Sequence, residues 1–290
     1  MTISKSSNDN SADTDPPDFR WHTPRTSYRV VDLRGLWDAR ELIWMFTLRD
    51  VKVRYRQTLI GVLWAVLQPL LPLVIFVTMF GLLGRQPVQE GVPYHVVALC
   101  GLVVWQLFGT GVTSASACLV SYRHLITKVY FPRLVLPISA LLSSLVDFVC
   151  AACLIVILGA QYVVPPSPAM MLAPFFVLLA FTASLACGIW LSALNGLYRD
   201  FGYLAPFLLQ MGFFLSPVVY QTEGLIPPRW QLLFAVNPLV GAIEGFRWSV
   251  IGQGDFPWFA ILPALASTGV LLVSGLLCFR YVDRFLTDRI

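Results

Sequence analysis

Asp147 stands inside Leu134–Leu158, a run that is apolar almost without relief, and it is the single clear charge within the long apolar stretches of this sequence. A carboxylate in such surroundings is costly unless satisfied, and it marks function by default. Two readings are open to it: a hydrogen bond to Ser143, Ser144 or a neighbouring helix, or a part in ion coupling. A proton relay needs further acids or histidines, yet His22, His95 and His124 fall on three different segments. Cys150 and Cys153 form a CxxC with no histidine partner and no βαβ setting, so zinc or redox chemistry has little to rest on. Cys100, Cys118, Cys187 and Cys278 also fall in apolar runs and read as packing residues. None of Lys5, Lys52 and Lys128 follows a glycine, so there is no GxxxxGK[ST] phosphate loop. HExxH and GxSxG are absent as well. The sequence therefore reads as no enzyme, and any ATP-driven step belongs to another polypeptide.

Cations and aromatics are where spacing becomes informative. Arg49, Lys52 and Arg56 share one helical face, and Asp50 is spaced to pair with Arg54 at i,i+4. Such a cluster suits anionic lipid headgroups, or it simply anchors the chain at the membrane. Arg123, His124, Lys128 and Arg133 interleave with Leu125, Ile126, Val129, Tyr130 and Phe131. That pattern predicts a short amphipathic helix docking into a cleft on another protein, closed by Pro132, with a solvated loop as the alternative. Trp105, Phe108, Phe207, Phe213, Phe214, Tyr220, Trp230, Phe234, Phe246, Trp248 and Trp258 gather near the ends of apolar runs. They read as belt or core residues, or as a channel wall on which sugar rings could stack.

The elements that must position these residues are helices in a membrane. A hydrocarbon core ~30 Å thick needs roughly 20 apolar helical residues, and Leu59–Gly84, Val96–Val120, Leu134–Leu158, Met170–Leu194, Tyr203–Tyr220 and Trp258–Phe279 all approach that length. The chain is 57% hydrophobic and only 12% charged, where soluble domains carry about 25% charged residues. Runs this long exclude the roughly 10-residue alternating strands of outer-membrane barrels. The fold class is thus an all-α polytopic membrane protein with six transmembrane helices. Arg49, Lys52, Arg54, Arg56, Arg123, Lys128, Arg133, Arg199, Arg280, Arg284 and Arg289 crowd the gaps on one side, against Arg85, Arg229 and Arg247 on the other. Both termini are therefore expected in the cytoplasm. This bias accounts for the net charge of +4 without nucleic acid.

Before the first span, Leu36, Ala39, Ile43 and Phe46 recur at helical spacing opposite Arg34, Asp38 and Glu41. An amphipathic helix lying in the interface follows, with Trp37 and Trp44 at headgroup depth. Residues Met1–Phe19 are polar with Pro16 and Pro17, lack the apolar core of an export signal and read as disordered. The expected layout is a cytoplasmic tail over 1–33, an interface helix over 34–58 and a six-helix domain over 59–290. Between Gln221 and Pro257, prolines and glycines interrupt an apolar stretch. Two short helices, Trp230–Val236 and Leu239–Ile251, are predicted to dip into the membrane from outside and return, tolerated because they line a pathway. Glu244 and Arg247 are spaced to pair there.

Two runs carry a resemblance. LRDVKVRYRQTLIGVLWAVLQPLL, Leu48–Leu71, joins a basic interface helix to a first span through Gly61, Trp64, Gln68 and Pro69, and NPLVGAIEGFRWSVIG spans Asn237–Gly252. VYFPRLVLP at Val129–Pro137 adds to them. Together they resemble the membrane subunit of ABC-2 type exporters, in particular the branch moving lipid-linked O-antigen, capsule or teichoic-acid chains. The resemblance implies a bacterial cytoplasmic-membrane permease working as a homodimer, with an ATPase subunit under each copy and a lipid-linked glycan as substrate. It also implies no cofactor in this chain, ATP and Mg being held by the partner. Arg123, His124, Lys128, Tyr130 and Phe131 would form the ATPase-coupling contact. Trp37, Trp44, Arg49, Lys52, Arg54 and Arg56 would meet the bilayer and the carrier's phosphates. Trp105, Phe108, Phe214, Tyr220, Trp230, Phe234, Glu244, Arg247 and Trp248 would line the channel or its outer gate. An ABC-2 exporter of small hydrophobic molecules is the alternative reading.

Overall fold

The structure, a computed structural model, describes residues 33–56, 61–83, 92–129, 131–161, 168–222 and 226–289. The N-terminal tail and Tyr130, both singled out above, lie outside them. All the described elements are helical: α1 Leu33–Asp38, α2 Arg40–Arg56, α3 Leu63–Leu82, α4 Tyr94–Ser121, α5 Arg123–Ile126, α6 Val135–Gln161, α7 Ala173–Leu197, α8 Phe201–Phe214, α9 Pro228–Ala235, α10 Pro238–Ile251 and α11 Trp258–Arg289. Five segments are long and apolar enough to cross a membrane: Leu63–Leu82, Tyr94–Ser121, Val135–Leu158, Pro168–Leu197 and Trp258–Arg284.

The stretch expected to cross between Tyr203 and Tyr220 is shorter than predicted. α8 has 14 residues, which at ~1.5 Å per residue is only about 21 Å. It stops because Pro217 disfavours helical backbone at Ser216 and supplies no N–H of its own.

α4 is the centre of the bundle. Its most apolar window is 78% buried, against 17% for α3 and 22% for α11, and it packs most extensively against α7 and α6. Without a hydrophobic drive between helices in lipid, close approach of small residues must do this work. A Cβ on Gly111 would lie 2.5 Å from Ser184 Oγ, and one on Gly188 would lie 2.7 Å from Ala115 Cβ. Hydrogen bonds reinforce the contact: Ser184 Oγ donates to Phe108 O at 3.2 Å and Asn195 Nδ2 donates to Ser116 O at 2.9 Å. Trp190 Nε1 similarly ties α7 to Ser274 Oγ on α11 at 3.0 Å. The cysteines divide: Cys100 and Cys118 are buried as packing residues, whereas Cys153 is exposed on the outer face of α6.

α1 and α2 do not stand off from the bundle. Leu36, Ala39, Leu42, Ile43 and Phe46 pack into a second core with Tyr122, Val135, Leu136, Ile189 and Phe279. The predicted apolar stripe thus faces protein, while Trp37 and Trp44 remain 70% and 61% exposed.

Candidate functional site

The ring of Phe46 meets Tyr122 at 5.5 Å and Phe131 at 6.0 Å. The Tyr122 hydroxyl donates to the Asp50 carboxylate, and the Arg49 guanidinium stacks 4.2 Å above the Tyr122 ring. Burial, then the bond to Asp50, pushes the Tyr122 phenol well above the usual tyrosine range. Asp50 is therefore engaged with Tyr122 and Arg49, and the expected Asp50–Arg54 pair does not form.

With α2 fixed in this way, its last turn carries Arg54 and Tyr55 to α6. There the guanidinium of Arg54 and the hydroxyl of Tyr55 both donate to the carboxylate of Asp147. The second Arg54 nitrogen donates to Ser114 Oγ at 3.2 Å and Ser143 Oγ at 3.3 Å. The Asp147 side chain is 5% exposed and that of Arg54 33%. The intramembrane acid thus has a cation and a phenol as partners, and desolvation plus the carboxylate raise the Tyr55 phenol. Arg54, expected at lipid phosphates beside Arg49, Lys52 and Arg56, instead points inward, while those three are exposed.

This ion pair lies at one end of a cavity of about 690 Å³ enclosed by α2, α3, α4, α6 and α8. One part of its wall is aromatic: Trp64, Trp105 and Phe213. The Trp105 ring stands 5.5 Å from Phe213 in an edge-to-face arrangement. The other part is neutral and polar: Gln68, Gln106, Thr110, Thr113 and Ser114, of which Gln106, Thr110 and Thr113 recur at helical spacing along α4.

Pro69 explains why an amide is buried here. With no N–H, it leaves Ala65 O without its helical donor. Gln106 Nε2 supplies one from α4 at 3.1 Å, and also donates to Gln68 Oε1 at 2.8 Å. Of the aromatics singled out in the sequence, Trp105 and Phe213 line this cavity. Phe108 faces the core at 8% exposure, and Phe214 points outward beside the lining residue Phe213. Sequence reasoning missed Trp64, Gln68 and Gln106 as lining residues, although a proline-linked glutamine and a glutamine–threonine row in apolar helices signal them.

At the α2 end, α5 is a single turn. Arg123, His124, Lys128 and Val129 are exposed, but Leu125, Ile126 and Phe131 pack into the second core. Three of the five apolar residues thus rest on the chain's own core, leaving Val129 and the cations outward. Arg133 Nη1 then donates to Asp283 Oδ1 at 2.9 Å, tying the start of α6 to α11.

At the opposite end, α10 is buried among α4, α7 and α11. Arg247, 4% exposed, donates to Val97 O, Tyr220 O, Pro217 O and Val218 O at 2.8–3.3 Å. Three of these carbonyls lie in the segment that follows α8, and the fourth, Val97 O, ties α10 to α4. Glu244 accepts from Thr222 N at 3.2 Å, and among the described residues no direct ion pair joins it to Arg247. Asn237 Nδ2 donates to Leu215 O and Ser216 Oγ, completing the same anchorage. Tyr220 lies 6.4 Å from Phe234 across this turn. The Trp248 ring packs at 4.9 Å against Phe256, and Trp230 is 52% exposed on α9. These aromatics cluster at this end, away from the large cavity.

Five helices long and apolar enough to cross a membrane, with a buried ion pair beside a large cavity lined by aromatic and neutral polar side chains, define a multi-pass membrane protein. The chain belongs to the ABC-2 type transporter family, whose profile matches residues 41–251. It is 31% identical to an O-antigen export system permease protein RfbA of Myxococcus xanthus, over 83% of this chain and 92% of that one. A protein of the same name from Klebsiella pneumoniae is 28% identical over 82% and 91%. The capsule polysaccharide export inner-membrane protein CtrC of Neisseria meningitidis is 25% identical over 82% and 89%.

Proposed function

We propose that this chain is the membrane permease of an ATP-driven exporter carrying a lipid-linked polysaccharide, of the O-antigen or capsule class, across the bacterial cytoplasmic membrane. The observation that carries this reading is the lining of the large cavity. Its indole and phenyl faces can stack on the C–H faces of sugars while glutamine and threonine groups exchange hydrogen bonds with hydroxyls. A conduit for purely hydrophobic cargo has no use for that neutral polar row, whose presence in the membrane is costly.

The cavity opens between α3 and α8, whose outward residues Val74, Ile75, Phe207 and Phe214 are more than half exposed. In this reading a second copy closes it, making one channel from two halves. α8 is the sixth and shortest crossing, and α9 and α10 form a re-entrant outer hairpin. The end bearing α2 and α5 is cytoplasmic, following the cation bias. An ATPase subunit holding ATP and Mg binds there under each copy, through Arg123, His124 and Lys128. Arg49, Lys52 and Arg56, exposed at the same level, meet the phosphates of the glycan's lipid carrier.

Depleting the chain from its own cells tests this directly. Surface glycan should disappear while lipid-linked glycan accumulates at the inner face, and the wild-type chain should restore display. Unchanged surface glycan with retention of a small hydrophobic compound would replace this reading with export of that compound.

A further inference from the structure

The α2 end carries a second cavity, of about 250 Å³, between the end of α4 and the turn joining α7 to α8, lined by Leu119, Arg123, Asn195, Leu197 and Arg199 among others. Two guanidiniums thus line one small space. Both are exposed, and among the described residues neither guanidinium has a carboxylate as its ion-pair partner. No carboxylate lines the cavity; Asp200, next in sequence to Arg199, is exposed outside it. The floor is rigid, because Asn195 Nδ2 is fixed to Ser116 O at 2.9 Å. Two guanidiniums lining one small space with no carboxylate beside them suit an anion.

We infer that this cavity receives a carboxylate side chain of the ATPase subunit, gripped between Arg123 and Arg199; the inference rests on the exporter reading above and names the chemistry of its coupling contact. Position favours protein over a lipid headgroup. The cavity lies at the end of α4, whose apolar window is the most buried of the five long apolar helices, and so beneath the central helix of the bundle. Position also gives the contact a mechanical sense. Arg123 directly follows α4 and Arg199 directly precedes α8. Both helices line the large cavity, α4 with Gln106, Thr110 and Thr113 and α8 with Pro206, Leu209 and Phe213. One acid held by both arginines would tie a nucleotide-driven movement to two walls of the transport path together.

The test uses the chain purified together with its co-encoded ATPase. Arg123→Lys and Arg199→Lys keep the charge and offer an amine that a carbodiimide joins only to a carboxylate in contact. An amide bond from either position to an Asp or Glu of the ATPase subunit, located by peptide mass, is the expected result. Arg123→Gln with Arg199→Gln should raise the dissociation constant for the ATPase by at least about tenfold. Bonds formed only within this chain, or unchanged affinity in the double variant, would overturn the inference. So would loss of bound anionic phospholipid from that variant with ATPase affinity intact, which would make the cavity a headgroup site. A wild-type chain that retains no ATPase at all would remove the exporter reading itself, and with it this pocket's partner.

Discussion

Asp147 and Arg54 illustrate what a single buried charge demands. Removing one member of a buried pair hurts through the charge left behind, and the two members are not equally buried. Arg54→Gln strands a carboxylate that is 5% exposed, whereas Asp147→Asn strands a guanidinium that is 33% exposed and has two serine hydroxyls to hand. Arg54→Gln should therefore cost ~3 kcal/mol and Asp147→Asn ~1 kcal/mol, the double variant falling below their sum. Thermal unfolding in detergent measures all three. The tyrosines add a dependence on pH. Burial and a neighbouring carboxylate raise both the Tyr55 and Tyr122 phenols in the folded chain. When the folded pKa is the higher, the group's contribution is complete below the unfolded value of about 10 and is lost as pH rises above it. Unfolding temperature should fall above about pH 10, and Tyr55→Phe with Tyr122→Phe should flatten that fall.

Between elements, α3 shows how a helix-breaking residue is accommodated in lipid. Pro69 frees the Ala65 carbonyl and Gln106 caps it from α4, as required where no water can serve. Gln106→Leu should cost ~1–3 kcal/mol by leaving that carbonyl unsatisfied. Pro69→Leu restores an N–H to α3, so the same Gln106 change made in that background should be nearly neutral. A double-mutant cycle on unfolding free energy separates this from simple packing loss, which would be additive. The contrast marks what sequence can reveal. The five long apolar helices and the shorter α9 and α10 are legible because apolar length and proline punctuation are local signals. The Arg54–Asp147 pair joins positions 93 apart, so no window contains it, and the nearer Asp50 offered a plausible but unused partner. The same locality limits the reading at α5. Apolar residues there predict burial correctly but do not say against what, and the covering surface proved to be the chain's own second core.

On the scale of the whole molecule, the large cavity separates a path from a packing defect. A packing void would be relieved by filling it, because added apolar contact stabilises. A path would be blocked. Thr113 is exposed on the cavity wall, and its hydroxyl turns back to Gly109 O at 2.7 Å, so a larger side chain there displaces no core residue. Thr113→Trp should leave insertion, unfolding temperature and ATPase binding unchanged while surface glycan falls at least tenfold, as expected when bulk occupies a conduit walled by Trp105 and Phe213. Thr113→Ser, which loses the methyl, and Thr113→Val, which loses the hydroxyl, should both export normally, which excludes either loss as the cause. If Thr113→Trp instead raised stability and left export intact, the cavity would be structural slack, and the substrate would have to pass on another face of the bundle.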